Sequence, residues 1–123
     1  MTHILVVEDD ASLRLLLEAL LTQEGYQVQA VRHGQAVLEA MQQDPPDLIL
    51  LDLAMPVMDG RTVLATHRRR AARRTPVIVV SSQVDARQEQ ELLHQINDFL
   101  AKPFRVQDLV DCVKRHIATR VAH

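Results

Sequence analysis

Four apolar runs in this 123-residue chain each end on side chains that could handle phosphate or a cation. Ile4-Leu5-Val6-Val7 runs into Glu8, Asp9 and Asp10. Leu48-Ile49-Leu50-Leu51 ends at Asp52, Val77-Ile78-Val79-Val80 at Ser81 and Ser82, and Phe99-Leu100-Ala101 at Lys102. Carboxylates brought together from two strand ends repel one another unless a cation lies between them. A hard cation with oxygen ligands answers that need, and Mg²⁺ typically takes one or two carboxylates plus waters and phosphate oxygens. An aspartate can accept a phosphoryl group as an acyl phosphate. That transfer depends on positioning and charge neutralisation more than on covalent help from the protein. Lys102 could neutralise phosphate oxygens, and Ser81 could donate a hydrogen bond to them.

For these groups to meet, the runs must lie side by side. Continuous apolar runs bounded by turn signals suit strands buried on both faces. Gln27 to Val31 is a fifth strand candidate whose alternation suits a sheet edge. Helical periodicity fills the gaps. Leu13, Leu16, Leu17, Leu20 and Leu21 recur at 3–4 spacing, and Gly25 can end that helix. Ala36, Val37, Ala40 and Met41 mark a second helix. Val63, Leu64 and His67 mark a third, beginning near Gly60. Val84, Leu92, Leu93 and Ile96 give a fourth a thin stripe, so this helix is expected to be loosely held. Val106, Leu109, Val110, Val113 and Ile117 mark the last. Five strands alternating with five helices predict an α/β fold, a doubly wound parallel sheet with helices on both faces. In such a sheet ligands gather outside the carboxyl ends of the strands, where the acids, hydroxyls and ammonium converge.

Taken singly, each group has an ordinary explanation. An Asp after a strand is usually a turn former or helix cap, Ser81-Ser82 would serve as an N-cap, and a lysine is usually a solvated charge. Their arrival at successive strand ends is what argues for chemistry. Composition sets the frame. Hydrophobic residues make up 47% and aromatics 2%, so the core must be aliphatic. A net charge of −2 gives no reason to expect direct nucleic-acid binding. No apolar run approaches the roughly 18 residues of a membrane span, and Met1-Thr2-His3 lacks the form of a signal peptide. The single cysteine, Cys112, allows no intrachain disulfide. A one-domain cytoplasmic protein spanning residues 1–123, with no membrane contact, is expected.

The chain resembles the response-regulator receiver family of two-component signalling over essentially its whole length. Ile4 to Asp10 resembles that family's first strand and acidic cluster, and Asp47 to Gly60 its phosphoacceptor strand and following loop. Pro76 to Ser82 resembles the switch strand, and Asp98 to Phe104 the final strand with its Lys-Pro turn. The resemblance implies a flavodoxin-like sheet of strand order 2-1-3-4-5. It implies that Asp52 accepts a phosphoryl group from a histidine kinase or a histidine phosphotransfer protein. Glu8, Asp9, Asp52 and the backbone carbonyl of Ala54 would hold Mg²⁺, with Asp9 the more direct acidic ligand of the pair. Ser81 and Lys102 would hold phosphate oxygens. Ser81 and Phe99 would relay the switch to a surface made of the fourth helix, fifth strand and fifth helix. The bond before Pro103 would be cis. Ser81 stands where Thr is commoner, Ser82 where Ala is usual, and Ala54 where a polar residue is frequent. With Gln83, Ala54 could tune the lifetime of the phosphorylated state.

Two other readings compete. A haloacid-dehalogenase-like phosphatase also uses an aspartyl nucleophile, but it carries a second Asp two residues later, where this chain has Ala54. A non-phosphorylated interaction module would keep the fold without needing Glu8, Asp9, Asp52, Ser81 and Lys102 together. The chain ends at the last helix, so it would be either a free-standing regulator or part of a larger one; its downstream effector is not specified by sequence. Arg68, Arg69, Arg70, Arg73 and Arg74 read as a solvated helix end. The six histidines show no zinc spacing, and Cys112 is expected to pack beside the last helix's apolar stripe.

Overall fold

The computed structural model describes residues 2–33, 36, 39, 45–52, 75–81 and 96–121. Five strands form one sheet: β1 (His3–Val7), β2 (Gln27–Val31), β3 (Leu48–Leu51), β4 (Val77–Ser81) and β5 (Asp98–Ala101). All pairings are parallel and the order is β2-β1-β3-β4-β5. This is the flavodoxin-like order expected from the sequence. The sequence order of the strands reverses beside β1, and the crevice at that switch is where an open α/β sheet binds ligands.

β1, β3 and β4 are buried on both faces, as their unbroken aliphatic runs require. β2 alternates between exposed and half-buried residues and occupies an edge. Two helices are described at length, α1 (Ala11–Gln23) and the C-terminal helix α2 (Val106–Val121). Both pack on the sheet face that carries Ile4, Val6, Leu48, Leu50, Ile78 and Val80, through Leu17 and Leu21 from α1 and Leu109, Cys112, Val113 and Ile117 from α2. Ala36 and Glu39 are helical. The remainder of the second predicted helix, the third and fourth predicted helices, and the Arg68–Arg74 cluster lie outside the described residues.

Local chemistry sets the bounds of α1. Asp10 is its N-cap, accepting the Leu13 N–H at 3.0 Å. The helix ends at Gly25, whose φ of 95° suits glycine. The Gly25 N–H donates to the Thr22 carbonyl and the Tyr26 N–H to the Leu21 carbonyl, the paired bonds of a Schellman cap. The leucine stripe is narrower than the sequence suggested. Leu17 and Leu21 are buried, but Leu16 is 46% and Leu15 65% exposed. An i, i+4 ladder points straight at a flat sheet, whereas the leucine one residue earlier is turned by about 100° to its flank. Val106 at the start of α2 is exposed as well.

The amino ends of the strands carry additional ties. The His3 N–H donates to Asp47 Oδ2 at 2.8 Å and the Asp47 N–H returns a bond to the His3 carbonyl at 2.7 Å. The Thr75 hydroxyl donates to the Pro46 carbonyl. Asn97 clasps Val77 twice: its Oδ1 accepts the Val77 N–H and its own N–H donates to the Val77 carbonyl.

Candidate functional site

The carboxyl ends of four strands deliver the sequence-selected groups to one rim. Asp52 directly follows β3, and its N–H donates to the Val7 carbonyl at 3.0 Å, holding it level with the end of β1. The Glu8 N–H donates to the Val31 carbonyl at 3.0 Å. Both carboxylates are nearly enclosed, Asp52 at 7% and Glu8 at 2% exposure. Lys102 follows β5 and reaches across the rim. Its Nζ lies 2.7 Å from Glu8 Oε1 and 3.4 Å from Asp52 Oδ2. The Lys102-Pro103 bond is cis, as the family resemblance implied.

Asp9 is exposed and completes the acidic set. Glu8, Asp9 and Asp52 each offer a carboxylate oxygen, all within 4.8 Å of one another. Among the described residues, three carboxylates gather here and two of them, Glu8 and Asp52, meet the Lys102 ammonium. Burial pushes the Glu8 carboxyl up to about 7; Lys102 draws it down, and neighbouring Asp52 adds to the rise. Lys102 is itself desolvated, which lowers its pKa, but its bond to Glu8 and the charges of Glu8 and Asp52 outweigh that and raise it above the ordinary lysine value. An all-oxygen, charge-deficient set of this kind fits a hard divalent cation.

Ser81 ends β4 and is buried, and its carbonyl accepts the Lys102 N–H at 3.2 Å. Val79 pairs with Phe99 and Ser81 with Ala101, so Ser81 and the half-buried Phe99 share the sheet face opposite α1 and α2. Ala54, Ser82 and Gln83 lie outside the described residues.

Several partners were not legible in the sequence. The third acid of the cluster, Asp10, caps α1 instead of joining the other two, and its N–H leans toward Glu8 Oε2 at 3.4 Å. Arg14 reaches back to the Glu8 carbonyl at 2.9 Å and the Asp9 carbonyl at 3.4 Å, bracing the loop that carries the acids. One helical turn separates Asp10 from Arg14, a spacing that in retrospect carries the signal. Lys102 pairing with Glu8 joins residues 94 apart; their arrival at one rim was expected from the strand ends, but their direct contact was not.

A second polar cluster lies on the other side of β5. Asp98 Oδ2 is 3.3 Å from Cys112 Sγ, 2.9 Å from Arg115 Nη2 and 2.9 Å from His116 Nε2. Its Oδ1 accepts the Phe99 N–H at 2.8 Å. Burial alone would raise the Asp98 carboxyl; the bonds from His116, Phe99, Cys112 and Arg115 overcome it and hold the group well below the usual carboxylate range. Burial and the contact with Asp98 push the Cys112 thiol up to about 12. Cys112 packs within the core cluster, as expected from its place on the helix stripe.

A parallel flavodoxin-like sheet with acids, a hydroxyl and a lysine on its carboxyl rim defines a class of α/β proteins, and comparison with known proteins narrows it to a family. Residues 4–114 match the response regulator receiver domain family, and the chain belongs to that family. It is 32% identical over 115 residues to sporulation initiation phosphotransferase F of Bacillus subtilis, covering 93% of this chain and 92% of that protein. It is 33% identical over 116 residues to the DNA-binding transcriptional regulator NtrC of Proteus hauseri, covering 94% of this chain but 24% of the regulator. The chain thus spans about a quarter of the length of that relative. Among solved structures, the signal receiver domain of a signal transduction histidine kinase from Syntrophus aciditrophicus superposes with a TM-score of 0.88. Its sequence identity is 31%, with 97% of this chain and 92% of that one covered.

Proposed function

We propose that residues 1–123 act as one receiver unit in which Asp52 accepts a phosphoryl group from a phosphohistidine on a histidine kinase or histidine phosphotransfer protein. The observation that carries this reading is Asp52 itself: an almost enclosed carboxylate at a strand end, 3.4 Å from the Lys102 ammonium and within reach of two further acids. An Asp52 carboxylate oxygen attacks phosphorus, the phosphorus–nitrogen bond of the donor breaks, and the imidazole leaves with a proton. Glu8, Asp9 and Asp52, with the carbonyl of Ala54, would hold Mg²⁺, which when bound supplies charge neutralisation and a template for phosphate oxygens. Lys102 exchanges its contact with Asp52 for a phosphoryl oxygen, and Ser81 donates a hydrogen bond to another.

The chain is a signalling acceptor and not a turnover enzyme in this reading, working in the cytoplasm without membrane or direct nucleic-acid contact. Phosphorylation would shift an existing equilibrium at the surface of the fourth predicted helix, β5 and α2, relayed by Ser81 and Phe99 to an effector protein or domain. The shared sheet face of Ser81 and Phe99 supports that relay.

The test is incubation with Mg²⁺ and a small acyl-phosphate donor, followed by intact-mass measurement. A phosphoryl adduct is expected in the wild type, absent in Asp52→Asn and absent with chelator. An adduct that survives Asp52→Asn would place the acceptor elsewhere. No adduct under any condition would favour a non-phosphorylated interaction module.

A further inference from the structure

We propose that Asp98, Cys112 and His116 form a zinc-binding site at the seam between β5 and α2, separate from the acidic rim. Cys112 and His116 stand at i and i+4 on α2, so both side chains project from one face of the helix. β5 supplies the third group, Asp98, on the sheet face that α2 covers. Cys112 Sγ, His116 Nε2 and Asp98 Oδ2 all lie within 4.8 Å of one another. Zinc bonds measure about 2.3 Å to sulfur and about 2.0–2.2 Å to nitrogen and carboxylate oxygen. Donors already this close enclose such an ion after movements on the order of 1 Å.

The donor types select the metal. Sulfur, imidazole nitrogen and carboxylate oxygen together suit zinc, whereas Mg²⁺ and Ca²⁺ take oxygen ligands. In the metal-free protein the thiol and the imidazole both meet Asp98 Oδ2, so the groups already converge on one point. Binding exchanges protons for the ion: the Cys112 S–H bond breaks as a Zn–S bond forms and that proton passes to solvent, while the proton that His116 Nε2 directs at Asp98 moves to Nδ1, through water, as the Zn–N bond forms. Arg115, which also touches Asp98 Oδ2, has a side chain 64% exposed and can withdraw into water. The Phe99 N–H on Asp98 Oδ1 fixes the carboxylate's orientation, the part an outer-shell partner plays at metal sites. Three protein ligands leave a fourth position open to water or to a group from a partner protein.

The test uses the whole chain, with Co²⁺ and Zn²⁺ as probes and Mg²⁺ in excess to occupy the acidic rim. Co²⁺ should produce a thiolate-to-metal absorption band that Cys112→Ser abolishes. Zn²⁺, competed against a chromophoric chelator, should bind one equivalent. Cys112→Ser and His116→Gln should each weaken it by at least the roughly 10–100-fold that an outer-shell partner alone commands. Cys112 is buried, so the fold of Cys112→Ser is checked by circular dichroism. Should it unfold, the thiolate band and His116→Gln, at a half-buried position, decide. Absence of the band, or zinc affinity unchanged in His116→Gln, overturns the site.

Discussion

Two carboxylate clusters lie at opposite ends of β5, and they are electrostatic opposites. On the rim, among the described residues, Lys102 meets Glu8 and Asp52, Asp9 lies beside them, and the most enclosed of the three acids is pushed up to about 7. At the seam, one carboxylate, Asp98, collects a guanidinium, an imidazole, a thiol and a backbone amide, and is held far down. The rim is short of positive charge, so a hard cation gains by arriving. The seam is already saturated with donors, so a metal can enter only by displacing protons from sulfur and nitrogen. Similar acids on neighbouring elements are thus prepared for different chemistry by the number of donors around them.

The largest expected effect tests the charge deficit. Lys102→Met keeps most of the stem but leaves Glu8 and Asp52 without their cation. In metal-free buffer it should cost on the order of 3 kcal/mol, as breaking an enclosed ion pair does. Added Mg²⁺ should recover part of that loss; denaturant melts with and without the ion would show it. A variant as stable as the wild type without metal would mean that the rim carries no excess of negative charge.

Asp10→Ala should cost about 1 kcal/mol through the lost N-cap of α1 while leaving the yield of phosphoryl adduct unchanged. Chemical denaturation beside intact-mass measurement separates the two roles, and a fall in adduct would return Asp10 to the acidic site.

The last prediction lies at the seam and concerns an effect that fades in acid. Asp98 has a folded pKa below its ordinary 3.8, so between the two values the unfolded chain binds more protons than the folded one. Stability from this group is present above about pH 4 and is lost as pH falls through that window toward the folded value. The slope it adds cannot exceed about 1.4 kcal/mol per pH unit. In chelator, Asp98→Asn should lower stability near neutrality and flatten the acid limb of the profile, the two proteins converging as pH falls toward the folded value.

The strands were readable because an unbroken run such as Leu48–Leu51, bounded by turn signals, suits a sheet buried on both faces; their order was implied by the family resemblance and not by the runs themselves. The edge place of β2 was visible in the alternation of Gln27 to Val31. Side-chain placement around the helices was less legible. Leu16 and Val106 match the helical period but sit at the margin of the stripe, and period alone does not fix how wide a contact the sheet offers. Lys102 was assigned to phosphate oxygens; the acids that hold it in the unliganded protein are distant in sequence and become neighbours only through the strand order. The seam escaped for the same reason. Cys112 and His116 are a turn apart on one helix, but their meeting with Asp98 depends on which strand that helix covers.

The ties at the amino ends of the strands have a mechanical consequence. His3 with Asp47, Thr75 with Pro46, and Asn97 with Val77 fasten four strands along one edge through hydrogen bonds that no ligand competes for. At the opposite edge, among the described residues, Lys102 links Glu8 and Asp52 through ionic contacts that an incoming anion or cation can exchange. Both ends of the sheet are thus tied through the backbone, and the carboxyl margin adds side-chain contacts whose partners arriving charge can replace.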